Sequence, residues 1–320
     1  MLQDAESPAL ASPSLTDNLI AIVGPTASGK TDFALKFAAG IDGELVSADM
    51  GQMYRRLDAG TAKPPGSWVG GVYACAGIAC HLVDILDPSE STDAGLFASL
   101  AGKAIRSIRE RGKRPILVGG SGLYLRALLE GLDPLPPRAP ALRKRFQALA
   151  ESRGRPWLHE ELARKDPAAA ARIPANNLQR VIRALEICEL TGKPASSQRT
   201  SSRREPLLSA AYIGLKMERS LLRERIERRA ALMFPEMIDE ARRLVPSEFT
   251  GSEPGFRCLG YPQALACARG EMTAGAGLAA MVRDTAAYAK RQATWFRRQT
   301  PVLWLDPETA LEAALEIVNA

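Results

Sequence analysis

Eight residues constrain this chain more than any others: Gly24, Pro25, Thr26, Ala27, Ser28, Gly29, Lys30 and Thr31. Their spacing is Gly-x-x-x-x-Gly-Lys-Thr, and the setting matters as much as the letters. The stretch follows NLIAIVG, a short apolar run that reads as a buried strand. It opens KTDFALKFAAG, which reads as a helix with Gly40 as its C-cap. A loop so placed turns backbone N–H groups inward, and the helix start adds partial positive charge, so the eight residues make a phosphate cradle. Lys30 brings a full charge, and the Thr31 hydroxyl can hold magnesium. Whether the phosphates belong to a nucleotide or to a diphosphate carrying something else stays open at this level.

Further along, GELVSAD reads as a second strand, KAIRSIRERGK as a helix, and RPILVGGSG as a third strand running into the helix LYLRALLEG. Alternating strands and helices predict an α/β fold, a P-loop NTPase-like doubly wound parallel sheet. After Gly131 the character changes. LDPLPPRAPA is a proline-rich hinge, and three amphipathic stretches follow without a convincing strand. In the last of them Leu178, Val181, Ile182, Leu185 and Cys188 share one face, and Gly192 with Pro194 stops it. SSQRTSSRREP reads as a flexible return, and LLSAAYIGLKM restores a strand signal before long basic helices. The expected organisation is a flexible tail over residues 1–18, a core from 19–131 and 201–320, and a small inserted helical domain over 132–200.

A P-loop protein that handles nucleoside triphosphates keeps a carboxylate at the end of a further strand to hold magnesium. RPILVGGSG ends instead in Gly119, Gly120, Ser121 and Gly122; the nearest strand-end carboxylate is Asp49 in LVSAD. Phosphate grip is present while part of the hydrolytic equipment is missing or relocated. Lysine and arginine total 42 against 36 acidic residues, which permits a polyanionic partner without requiring one. The five cysteines are odd in number and lack Cys-x-x-Cys spacing, and His81 and His159 form no local metal motif, so neither a disulfide framework nor a structural zinc is expected. With no secretory signal and no apolar run of ~18 residues, the expected location is the cytoplasm, without membrane contact.

An ordered set of segments then narrows the reading. GPTASGKT, SADMGQMYRRLDAGTAKP, HLVDILDPSE, ILVGGSGLYLRALLEGL, DPAAAARI, QRVIRALEICELTGKP, LLRERIERRAALM, CLGYPQAL and YAKRQATWFRR together resemble the tRNA dimethylallyltransferase family, over residues 19–305. The resemblance implies that the cradle holds dimethylallyl diphosphate. The prenyl group passes to the exocyclic amine of the adenosine just 3′ of the anticodon, in tRNAs reading codons that begin with U, and diphosphate departs. It implies magnesium as cofactor, the tRNA anticodon stem-loop as partner, and the nucleotide-binding label that family members carry for this loop. A monomer is the default expectation, since nothing in the sequence indicates a symmetric interface.

The chemistry explains the residues so implied. Ionisation of an allylic diphosphate needs its departing charge neutralised, and the family's diphosphate-binding arginine matches Arg229, four residues after Arg225 on one helix face. Read without the resemblance, such arginines are solvated surface charges. The adenine amine is a poor nucleophile, and Asp49, at the end of the second strand, is the implied proton acceptor; its plainer reading is a helix cap or turn residue. Thr26, with Ser28, would orient the diphosphate or Asp49. Catalytic candidates are therefore Asp49, Thr26 and Arg229. For RNA the resemblance implies Asp49, Met50, Gly51 and Gln52; Ser121, at the rim of the prenyl channel; Arg143; Gln179, Arg180, Val181, Ile182 and Arg183; Arg257, Gly260 and Tyr261; and Lys290, Arg291, Gln292 and Arg297. Trp295 and Phe296 read more readily as core than as stacking platforms. Three segments depart from the family pattern: Met50-Gly51, the stretch from Pro174 to Asn177, whose Asn176 or Asn177 can cap the following helix, and the longer, more apolar GGVYACAGIACHLVD.

Overall fold

A computed structural model describes residues 19–198, 207–299 and 301–319. The expectations for the tail and for most of the return linker concern residues outside this set. The described residues form two compact units, a larger one from 19–129 with 207–319 and a smaller one from 130–198.

The larger unit is built on β1 (Leu19–Val23), α1 (Lys30–Gly40), β2 (Gly43–Ser47), α2 (Met50–Met53), β3 (Ser67–Val69), β4 (Val72–Cys75), β5 (Ile78–His81), α3 (Ala94–Glu110), β6 (Arg114–Gly119) and α4 (Gly122–Leu129). One eight-stranded sheet runs β3-β4-β5-β2-β6-β1, and ends in two strands from the C-terminal part. β1 pairs in parallel with β6 (Ile20 with Ile116) on one side and with Ala210–Leu215 (Ala21 with Tyr212) on the other. All five residues of β1 and all five of β2 are buried, as strands covered on both faces require. One face packs Phe33 and Phe37 of α1; the other packs Phe97, Ile105 and Ile108 of α3.

The doubly wound sheet matches the expected class, with one edge that differs. The longer, more apolar GGVYACAGIACHLVD carries two short strands, β4 and β5, and follows directly on a third, β3. β3 and β4 join through Gly70 and Gly71, β4 and β5 through Ala76 and Gly77, and all four loop residues have positive φ. Such two-residue loops give hairpins whose twist suits the strands. β5 then adds to β2 in parallel, Leu45 opposite Cys80. Gly40 ends α1, but Ile41 is the capping residue; what Gly40 provides is room, since a Cβ there would lie 2.7 Å from Leu315.

The smaller unit holds α5 (Pro140–Arg153), α6 (Arg155–Lys165), α7 (Pro167–Ala170) and α8 (Leu178–Thr191) around Phe146, Leu158, Leu162, Val181, Ile182 and Leu185. Gly192 closes α8 in the left-handed conformation, while Asn177 stands at its N-cap without a side-chain hydrogen bond. The start of the expected flexible return is tied down: Ser196 donates through N–H and Oγ to Asp166, each at 2.7 Å.

Back in the larger unit the chain completes the sheet with β7 (Ala210–Leu215) and β8 (Val302–Leu305), and covers it with α9 (Arg219–Leu244), α10 (Tyr261–Ala268), α11 (Ala274–Gln299) and α12 (Ala310–Asn319). Because β1 lies between β6 and β7, the loops leaving β1, β2 and β6 meet at the carboxyl ends of the strands, where doubly wound sheets bind ligands.

Candidate active site

The loop after β1 is shaped by backbone that few residues adopt: Ala27 has φ 64° and Gly29 φ 87°. Gly29 caps α1 without any side-chain hydrogen bond, so the first N–H groups of the helix await an external acceptor. Ser28 Oγ is buried and has no hydrogen-bond partner. A buried hydroxyl without a protein partner, beside the start of a helix, fits an anion cradle. Lys30 Nζ reaches back to the Pro25 carbonyl at 3.4 Å. Burial pushes its pKa from 10.5 down to about 8; Asp49 pulls it up and Arg229 pushes it lower still.

Helix α9 closes the cradle from the other side. Arg229 Nη2 donates to Thr26 Oγ1 at 2.8 Å, joining residues 203 positions apart. One turn earlier, Arg225 Nη1 lies 3.7 Å from where Gly29 would carry a Cβ. Burial lowers the Arg229 pKa, with Asp49 opposing. These two arginines face the phosphate loop, so the reading of them as solvated surface charges does not hold.

The plainer reading of Asp49 as a helix cap holds, and its carboxylate also stands near the phosphate loop. It is the N-cap of α2, accepting the Gly51 N–H at 2.9 Å, and its charge acts on five groups around it. Lys30 and Arg229 are two of them. The others are Tyr124, Tyr288 and Cys258, whose pKa values burial raises first and Asp49 raises further, Tyr288 and Cys258 to about 12. At the level of sequence Tyr288 reads only as an aromatic among the cations of YAKRQATWFRR, and Tyr124 and Cys258 have no site role. Tyr288 could have been found from its place four residues before Gln292, on one face of a basic helix.

The glycines after β6 explain the missing strand-end carboxylate. A Cβ on Gly119 would meet the Ala48 carbonyl at 2.5 Å, one on Gly120 Gln292 Nε2 at 2.0 Å, and one on Gly122 Trp295 Nε1 at 2.1 Å. Helix α11 fills the space a side chain would need. Gln292 is 6% exposed, and its Oε1 accepts the Thr26 N–H at 2.8 Å. Ser121 stands half-buried at the rim, its carbonyl starting α4.

The residues expected to meet RNA separate into two groups. Lys290, Arg291 and Arg297 are exposed on α11, and Arg257 is exposed before α10. Arg291 and Arg257, with Gly260, line a cavity of about 280 Å³; Lys290, Arg291, Trp295 and Arg298 line another of about 350 Å³. Phe296 is core, and Trp295 is half-buried beneath Arg126. Met50 and Gly51 are half-buried in the turn after Asp49. Other side chains turn inward. Gln52 accepts from Ser47 Oγ at 2.8 Å and donates to the Ala62 carbonyl at 3.0 Å. Tyr261 is 0% exposed, donating to Glu240 at 2.6 Å and accepting the Gly60 N–H at 3.1 Å. In this arrangement Gln52, Tyr261 and Gln292 have protein partners and no face for a base.

In the smaller unit Gln179 and Arg180 are exposed, whereas Val181 and Ile182 belong to its core. Arg183 and Arg143 both point at the fully buried Glu186, Arg183 at 2.6 Å and Arg143 at 3.4 Å, and Arg143 also donates to Gln179 at 2.7 Å. Burial pushes the Glu186 carboxyl up, but the Arg183 and Ala139 hydrogen bonds and both arginine charges outweigh it and hold it below 4.5. His81 pairs with Glu44, and His159 with two backbone carbonyls; no three metal-binding side chains gather among the described residues.

Fold and site define a P-loop α/β protein with a phosphate loop beside a strand-end acid and glycines, not a carboxylate, at the tip of β6. The family model for IPP transferase matches residues 52–299, and the chain belongs to that family. A tRNA dimethylallyltransferase of Elusimicrobium minutum is 41% identical over 279 residues, covering 87% of this chain and 91% of the relative. One of Anaeromyxobacter dehalogenans is 42% identical over 296 residues, covering 92% and 95%. The crystal structure of the full-length tRNA isopentenylpyrophosphate transferase from Bacillus halodurans matches with TM-score 0.66 and 37% identity, covering 95% of this chain and 96% of that one. A eukaryotic dimethylallyltransferase acting on tRNA shares the fold, with TM-score 0.73 at 23% identity over 94% and 78%.

Proposed function

We infer that this protein transfers a dimethylallyl group from dimethylallyl diphosphate to the exocyclic amine of an adenosine in tRNA. The observation that carries the reading is the joined cradle: Ser28 Oγ orphaned among free helix amides, with Lys30 and Arg229 converging on it and Asp49 beside them. In the reaction the bond between the allylic carbon and the diphosphate oxygen breaks, and its electron pair leaves with the diphosphate. The cradle amides, Lys30 and Arg229 stabilise that charge. The adenine amine forms the new C–N bond, and its proton passes to Asp49.

Magnesium fits as an ion shared with the phosphates rather than caged by protein, because no three-carboxylate or histidine cluster is present among the described residues. Thr31 would hold it, and when bound it would add positive charge at the leaving group. The acceptor is the adenosine just 3′ of the anticodon in tRNAs reading codons that begin with U. The exposed basic side chains of α11, with Arg257, and separately Gln179 and Arg180, would engage the stem-loop. No helix among the described residues is long and apolar enough to cross a membrane, and the proposed setting is a cytoplasmic monomer.

The test uses labelled dimethylallyl diphosphate or labelled ATP, each with and without an anticodon stem-loop bearing consecutive adenosines. Label should reach RNA from the prenyl donor alone. Phosphate release from ATP, with unlabelled RNA in the prenyl arm, would contradict the assignment.

A further inference from the structure

In a phosphate loop the N–H groups normally point at the ligand. Here one is already used: the Thr26 N–H donates to Gln292 Oε1 at 2.8 Å, across 266 residues. With its oxygen occupied, the Gln292 carboxamide retains an NH₂ group, and Tyr288 stands one turn earlier on the same helix. Tyr288 lies within the field of Asp49. Thr26 is meanwhile held from its other end, its Oγ1 accepting from Arg229. A hydroxyl that accepts from an arginine keeps its own proton for donation into the cradle. The chain of contacts is thus Gln292 to Thr26, and Thr26 to Arg229. Glycine at 120 is what lets Gln292 reach the loop, because any Cβ there would overlap it at 2.0 Å. Lys290, Arg291 and Arg297 on the same helix are exposed to solvent, so α11 touches the phosphate loop with one side and offers cations on another.

We propose that Gln292 is a positioning residue of the donor site, not an RNA contact: it fixes Thr26 in the phosphate loop and ties that loop to the helix carrying the basic surface. This rests on the assignment of the loop to the donor diphosphate. Without Gln292 the Thr26 N–H loses its acceptor, and Thr26 is held only through its hydroxyl by Arg229. Donor affinity should then suffer while the exposed cations remain unaltered.

Gln292→Leu removes the hydrogen bond to Thr26 at similar volume, and Gln292→Asn, one methylene shorter, serves if the leucine variant does not fold. Binding of inorganic diphosphate with magnesium and without RNA is measured by calorimetry, alongside KM for dimethylallyl diphosphate and the Kd of an anticodon stem-loop. The expected result is ~10-fold weaker diphosphate binding and a matching rise in donor KM, the size of one well-placed hydrogen bond. Stem-loop affinity should stay within about twofold. Weakened RNA binding with unchanged diphosphate affinity would overturn the proposal, as would a lowered Tm with both affinities intact. If the unaltered protein fails to bind diphosphate, the donor assignment itself falls; if it binds and the variants match it, only the role of Gln292 falls.

Discussion

Arg229 and Thr26, 203 residues apart in sequence, meet at 2.8 Å through guanidinium and hydroxyl, and this contact locks α9 onto the loop after β1. Arg229 carries a buried positive charge that Asp49 only partly offsets. The proposed function supplies it with an anionic partner, the donor diphosphate. Arg229→Met should therefore lower kcat/KM for the prenyl donor by ~10²–10³-fold, typical of losing one donor to developing charge, without lowering the Tm of the ligand-free protein. Thr26→Val added to Arg229→Met should cost little more, because both act through one contact. Steady-state kinetics with thermal melts of the three variants check this.

Asp49 has two duties that substitutions can separate. Asparagine keeps an oxygen for the Gly51 N–H but cannot take a proton. Asp49→Asn should reduce prenyl transfer ~10²-fold or more while leaving stability nearly unchanged. Asp49→Ala should lose as much turnover and a further ~1 kcal/mol with the cap. Stem-loop binding should persist in both; equal loss of binding and turnover would count against Asp49 as base.

Lys30 sets a pH window. Its folded pKa is about 8 against 10.5 ordinarily, so between these values the folded chain binds fewer protons than the unfolded one. The cost of burying the charged lysine is full below about pH 8, and it fades as pH rises toward 10.5, so this group makes the ligand-free protein relatively more stable over that range. A bound diphosphate favours the charged form, so binding near pH 8 should take up a proton and weaken at higher pH. Calorimetry in buffers of different ionisation enthalpy reads the uptake directly, and Lys30→Met should abolish it.

Ser28→Ala removes a buried hydroxyl that has no protein partner. The ligand-free protein should melt no lower than wild type, and diphosphate should bind several-fold more weakly, on the order of one hydrogen bond. A lower Tm with unchanged binding would make Ser28 a structural residue.

Tyr261→Phe discriminates between an internal clamp and a base-stacking role. The hydroxyl joins Glu240 to the Gly60 N–H, and the ring is fully buried. Its removal leaves buried polar groups unsatisfied and should cost about 1–3 kcal/mol in denaturant unfolding, while leaving stem-loop affinity unaltered.

The sheet class and the cradle were legible because their signals are local. Gly29-Lys30-Thr31 after an apolar run specifies loop and helix without reference to the rest of the chain. The β3–β4 and β4–β5 hairpins are legible only from turn chemistry, in Gly70-Gly71 and Ala76-Gly77, because the short strands they join carry no apolar alternation long enough to announce them. The inward turn of Tyr261 and Gln292 could not be read, because their partners Glu240 and Thr26 are 21 and 266 residues away. A motif fixes which residue types occur together; only the packed chain decides which way each one points.

The glycines at the tip of β6 also bear on what this scaffold can become. An aspartate at 120 would have to occupy the volume of Gln292, and one at 122 that of Trp295. A triphosphate-cleaving acid at either position therefore requires Gln292 or Trp295 to give way first. Evolution toward nucleotide hydrolysis along this route needs paired changes, one at the strand tip and one on α11.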